Sequence, residues 1–195
     1  MKSMILILIL MSVSARATTY PIFSLNKWQG ISDSSVVVKI DRVSRIANEQ
    51  NRTCIWIGFG TVIYSFKGKK KGDNINFNIY AGMKEGMYFH LFLIKTSLNK
   101  SFKSSSNSMI DDEEKKHNDE CKNIDHPEYT ILMEGIGSSE IVNSSNSINF
   151  DDFIVRFHGF WIDIPKKIIY KSYGEDWEKI SEIKLIDLIN YFKAQ

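Results

Sequence analysis

Two cysteines, four histidines, scattered carboxylates and a few glycine pairs are the residues of this chain whose types could do chemistry. Their spacing argues against most of it. Neither Cys54 nor Cys121 has a C-x-x-C partner, and His90, His117, His126 and His158 show no ligand spacing, so no metal site is expected. Gly58-Phe59-Gly60 and Gly135-Ile136-Gly137 are the only pairs a nucleotide or S-adenosylmethionine site could use. Such a site needs a glycine-rich turn between a strand and a helix, and neither pair leads into a helical pattern, so both read as bends within β-structure. No G-x-S-x-G elbow, P-loop or H-E-x-x-H is present. The neighbouring carboxylates Asp151-Asp152 and Glu175-Asp176 would point apart in a strand or turn, which does not suit acid–base work. Asp111-Asp112-Glu113-Glu114 lacks the spaced ligands of a calcium loop and reads as a solvated charge run. His90 has no carboxylate or second histidine nearby in sequence to orient it and reads as a packed or rim residue. Catalytic, cofactor-binding and metal-ligating residues are therefore all expected to be none, and no cofactor is expected.

The compartment is easier to read. The chain opens MKSMILILILMSVSARA: a lysine, an apolar run from Met4 to Met11, and Ala15-Arg16-Ala17 as a cleavage pattern. This describes a signal peptide over residues 1–17, and the run is about half the ~20 residues a membrane span requires. The expected product is secreted and extracellular, a single domain over 18–195 with no membrane span in the mature chain. In an exported chain Cys54 and Cys121 form a disulfide by default, with two unpaired thiols as the alternative, because sequence does not report their separation in space. Asn51-Arg52-Thr53, Asn99-Lys100-Ser101 and Asn143-Ser144-Ser145 are N-glycosylation sequons, placing Asn51, Asn99 and Asn143 on the surface if used. With 25 Lys and Arg against 23 Asp and Glu the net charge is +2. No sustained basic stripe exists to neutralise phosphates, so nucleic acid is not an expected partner.

The elements follow from period-two alternation. In Asn74–Tyr80, Ile75, Phe77 and Ile79 share one face and the asparagines the other, the mark of a half-buried antiparallel strand. Ser35–Ile40 and Cys54–Tyr64 are β-branched and aromatic in the same way, and Lys67–Asp73 is a turn between strands. Met87–Ile94 is apolar on both faces, so it belongs at the centre of a sheet covered on both sides. The polar stretch from about 95 to 127 is a long inserted loop, beyond the ~12–15 residues usual in compact domains. Strands resume at Tyr129–Met133 and Ser139–Val142. Phe153–His158 then runs into Phe157–Ile164, FHGFWIDI, read as one central strand with Gly159 as a bulge and Phe153, Val155, Phe157 and Trp161 on one face. Pro165–Lys167 turns, and Ile168–Tyr170 returns as a hairpin arm. The tail from Ile180 to Phe192 fits a helical stripe or a strand, and strand is preferred. Many short strands without alternating helices mean an all-β antiparallel β-sandwich.

The alternating strand at 74–80, then Tyr129-Thr130-Ile131-Leu132-Met133-Glu134-Gly135-Ile136-Gly137, then Phe157-His158-Gly159-Phe160-Trp161-Ile162, a turn and Ile168-Ile169-Tyr170, resembles the farnesoic acid O-methyltransferase-like domain family. That family is similar in reading Y-E-I-x-I-G-G and later F-x-G-F-W-I. The resemblance covers about 74–195, with N-terminal strands in 18–73 outside it, and its fold signature falls on Tyr129, Gly135, Phe157, Gly159, Phe160 and Trp161. Thr130 stands where a Glu is typical, and the 95–127 stretch looks like an insertion. Despite the family's name, the resemblance implies a β-sandwich binding or interaction module without a cofactor. The expected function is thus a secreted, glycosylated binding module whose ligand is a protein, glycan or lipid. The alternatives are a sesquiterpenoid O-methyltransferase and an exported host-interaction protein. Trp28, Tyr173 and Trp177, in polar turn-like surroundings, are the expected partner contacts, since Trp and Tyr supply large contact area at low entropy cost.

Overall fold

A computed structural model describes residues 22–80, 82–96, 116–117, 119–122, 124–132, 137–143, 150–158, 162–175 and 178–195. Its strands are β1 (Phe23–Ser24), β2 (Ser34–Ala47), β3 (Thr53–Lys67), β4 (Asn74–Asn78), β5 (Tyr88–Lys95), β6 (Tyr129–Ile131), β7 (Ser138–Asn143), β8 (Phe153–His158), β9 (Ile162–Asp163), β10 (Lys171–Tyr173) and β11 (Ile180–Lys184). Helix α1 spans Leu25–Ile31 and α2 Leu185–Lys193.

The expected all-β, largely antiparallel architecture is present, and its layers take a more specific form than two facing sheets. Nine strands run in the order β10-β11-β8-β7-β5-β2-β3-β4-β6, and β6 pairs back onto β5. Strands β5, β2, β3, β4 and β6 therefore close into a five-stranded barrel. The second edge of β5 is divided: Tyr88–Leu91 pair with β7, while Leu93–Lys95 pair with β6. The sheet forks there, one branch closing the barrel and the other, β7-β8-β11-β10, extending as a wing. The 95–127 stretch leaves and re-enters at one point, where the Thr96 amide donates to the Glu128 carbonyl at 2.9 Å.

The β4–β6 seam is parallel, with one ladder pair, Phe77 and Tyr129. Side chains complete it. Asn76 Oδ1 accepts from the Glu128 amide, and Asn78 Oδ1 accepts from the Ile131 amide at 2.8 Å. The alternation read from Asn74–Asn78 thus has two uses: Ile75 and Phe77 fill the barrel, and the asparagines of the other register supply polar groups that a short ladder leaves wanting.

The described residues form two buried clusters. Inside the barrel lie Val36, Val38 and Ile40 of β2 and Phe89, Leu91 and Leu93 of β5, with Tyr129 and Ile131. Gly58 and Gly60 face this interior, where a Cβ on Gly60 would stand 2.4 Å from Val38 Cγ1 and 2.5 Å from the Lys39 carbonyl oxygen. The pair exists for close packing inside a strand. The second cluster joins the outside of the barrel (Val37, Phe92) to the wing (Ile141, Val155, Phe157, Ile183) beneath α1 and α2. Strand β5 is apolar on both faces because each face looks into a different core. Helix α1 is held by Lys67, whose Nζ donates to the carbonyls of Gln29 and Gly30 at 3.0 Å and of Ser32 at 2.6 Å. A cation there complements the negative end of the helix.

Four expectations need correction. The tail is a strand only to Lys184; from Leu185 it is helical, with Leu185, Leu188 and Ile189 buried at i, i+3 and i+4 spacing. Ile168–Tyr170 is not a hairpin arm: Lys166–Ile168 form a 3-10 turn, and β10 begins at Lys171 and pairs with β11. FHGFWIDI is not one strand, since β8 ends at His158 and Ile162–Asp163 form β9, paired in parallel with β1. Phe153, Val155 and Phe157 do share a buried face, whereas Gly159, Phe160 and Trp161 lie outside the described residues. Trp28 is not a surface contact but core, 0% exposed on α1 and 5.7 Å from the Phe92 ring.

Candidate functional site

The most chemically varied surface is the outer face of β2, β3 and β4, and a defect in the alternation creates it. The β2–β3 register shifts between Ile40 and Arg42, making Asp41 the extra residue of a bulge. Ile40 stays in the barrel interior, and Asp41 and Arg42 both turn outward. Bulges re-aim side chains in this way. The Arg42 guanidinium lies over the Phe59 ring, 4.2 Å from its centroid. Cross-strand pairing sets Phe59 beside Asn76 and Thr61 beside Asn74. Thr61 Oγ1 donates to Asp41 Oδ2 at 2.7 Å and stands 3.3 Å from Asn74 Oδ1. Asp41, Phe59, Gly60, Asn74, Ile75 and Asn76 line a groove of about 280 Å³. Such a groove offers an acceptor carboxylate, amide donors and an apolar ring, a set suited to binding.

The wing carries a second polar group. Glu140, Arg156, Glu182 and Lys171 are paired across β7, β8, β11 and β10 in alternating sign. Arg156 Nε donates to Glu182 Oε1 at 3.0 Å, and the Tyr173 hydroxyl donates to the same oxygen at 3.0 Å. The hydrogen bond to Glu182 raises the Arg156 pKa above its ordinary value. Tyr173, an expected partner contact, is indeed on the surface, 37% exposed at the edge strand, but its hydroxyl is committed to this network.

The other expected site residues fall as follows. Cys54 and Cys121 form a disulfide with Cα atoms 5.5 Å apart, tying the segment 119–122 to the start of β3. Asn48 Nδ2 adds bonds to Glu120 Oε2 at 2.6 Å and to the His117 ring at 3.1 Å. Asn51 sits exposed in the β2–β3 turn at φ 60°, its Oδ1 accepting from Arg45 and its carbonyl also bound by Arg45. Asn143 ends β7 opposite Phe153. Tyr129 and Phe157 are core residues of the barrel and wing. Asn99, Gly135 and Trp177 lie outside the described residues. His90 is fully buried, its Nε2 3.1 Å from Ser35 Oγ and its ring among Phe66, Phe92 and Phe157. Burial lowers its pKa to about 3. Among the described residues no group of three or more His, Cys, Asp or Glu could hold a metal ion, and no helix is long and apolar enough to cross a membrane.

Sequence reasoning missed the Asp41–Arg42 bulge and Trp56, which is 44% exposed on β3. The bulge left a signal, since Ile40-Asp41-Arg42-Val43 places two charges between residues that both face the barrel. No family model, curated protein or solved structure matches the chain.

Proposed function

We propose that this chain is an exported, glycosylated binding module that performs no catalysis. The observation that carries the reading is the bulge at Asp41, which turns two successive charged side chains onto the outer barrel face, Asp41 into the groove and Arg42 over the Phe59 ring beside it. Export is supported by the N-terminal sequence and by the Cys54–Cys121 bridge, since disulfides persist in oxidising compartments. Glycosylation is supported at Asn51, which is exposed in the β2–β3 turn and whose side-chain oxygen, not the Nδ2 that carries a glycan, is the atom bound by Arg45. The resemblance to the farnesoic acid O-methyltransferase-like family supports a β-rich interaction module. Its signature positions Tyr129 and Phe157 are core residues, so they speak for fold and not for ligand.

Expression of the full chain in a secreting eukaryotic cell tests the reading. The product should appear in the medium, lose mass on enzymatic deglycosylation, and show thermal stabilisation by a member of a chemically varied ligand panel. Retention inside the cell, or a panel without any response, would refute it. The methyltransferase reading is tested by calorimetric titration with S-adenosylmethionine: heat of binding would replace the binding module with an enzyme. Against that alternative stands the placement of Gly58 and Gly60 in mid-strand, packed on Phe77 and Val38 instead of opening a helix.

A further inference from the structure

The groove beside Asp41 also suggests its ligand class, an inference that rests on the binding reading above. We propose that it is a site for a neutral saccharide, whose hydroxyls bond to Asp41, Asn74 and Asn76 while a C–H face of the sugar ring packs on the part of Phe59 that lines the groove, away from the ring face taken by Arg42.

The groups are set out for this chemistry. Sugars present vicinal hydroxyls, each both donor and acceptor, at the rim of a ring whose faces are apolar. A carboxylate accepts only, and a primary amide supplies two donors and an acceptor. Asp41 is held in place by Thr61, and Asn76 has its oxygen fixed by the Glu128 amide, so its Nδ2 donors have a set direction and no protein partner among the described residues. A ligand meeting groups already oriented loses less in ordering them.

The same features argue against the other ligand classes. Asp41 is the one charged residue lining the groove, so the groove offers an anionic polymer no row of cations. An acyl chain needs an apolar enclosure, and this groove is open, lined as much by polar as by apolar atoms, and at about 280 Å³ just below the usual size of ligand sites. An extended peptide would add to a strand edge, but both edges of β3 are occupied by β2 and β4.

Backbone amide chemical shifts, followed by NMR during titration of the mature, disulfide-bonded protein to millimolar ligand, test the assignment. The probes are maltotetraose, cellotetraose, mannotetraose and chitotetraose, with a heparin-derived tetrasaccharide and phosphatidylcholine vesicles alongside. At least one neutral tetrasaccharide should shift the amides of Asp41, Phe59, Thr61, Asn74 and Asn76. Asp41→Ala should weaken that binding by about tenfold or more, the cost of losing hydrogen bonds to a charged group. Asn74→Ala, which leaves the seam intact, should weaken it less, and circular dichroism should show both variants folded. Binding of a neutral tetrasaccharide that maps elsewhere, of the heparin fragment or vesicles alone, or of Asp41→Ala at wild-type affinity overturns the saccharide groove while the binding module stands. Silence from every probe overturns the saccharide groove, and the binding module then stands or falls by the ligand panel above.

Discussion

Acidification should destabilise this protein through one residue, His90. Its ring is fully buried against Ser35 and three phenylalanines, and its folded pKa is about 3 against an ordinary 6.5. Between those values the unfolded chain takes up a proton that the folded one refuses, so stability falls as pH drops below about 6.5 and the loss is complete near pH 3. At about 1.4 kcal/mol per pH unit the limit is roughly 5 kcal/mol, of which about 2 kcal/mol is lost between pH 7 and pH 5. With a urea m-value of ~2 kcal/mol/M, that is a fall of about 1 M in the unfolding midpoint. The assay is urea unfolding at both pH values for wild type and for His90→Gln, which keeps a polar partner for Ser35 but cannot titrate. Midpoints that fall in parallel for the two proteins would refute the reasoning, as would a folded-state His90 resonance titrating near pH 6.

Three further outcomes are expected. Replacing Cys54 and Cys121 together by Ser should cost about 4 kcal/mol by the loop-entropy argument for a sequence separation of 67, read as a lower thermal midpoint that reducing agent no longer changes. Gly60→Ala should destabilise by roughly 1–3 kcal/mol, since its Cβ would overlap Val38 and the Lys39 carbonyl, whereas the same change at Gly30, with nothing within 4 Å, should be tolerated. Asn78→Ala should leave the Ile131 amide without its acceptor, and faster hydrogen exchange at Ile131 than at Leu91 would report an opened seam.

The strands were legible because alternation is local. Ile75 and Phe77 face inward as read, and Tyr88–Lys95 serves two cores as a strand apolar on both faces must. Closure into a barrel was not legible, because Phe77 meets Tyr129 across a long polar excursion and inward-facing patterns are alike in barrels and sandwiches. Trp28 misled because its neighbours Lys27 and Gln29 are polar, while the helix's other buried residue, Leu25, sits three residues back on a helix of only seven residues. The tail misled because Lys184 provides no side-chain cap to announce α2. As for the groove, the charges at Asp41 and Arg42 were visible, but their common direction depends on a register shift that only pairing with β3 creates.

The hydrogen bond between Thr96 and Glu128 has a consequence for the protein's tolerance of change. Because β5 and β6 are antiparallel neighbours, everything between them is, in connectivity, the loop of a hairpin whose neck is already shut. Loop closure costs little more as length grows, about 0.6 kcal/mol per doubling, so insertions there are nearly free and the barrel does not register them. Deletion is different. A short turn in place of residues 97–127 would leave the barrel its seam but remove Cys121, stranding Cys54 as a free thiol on the arm that carries Trp56.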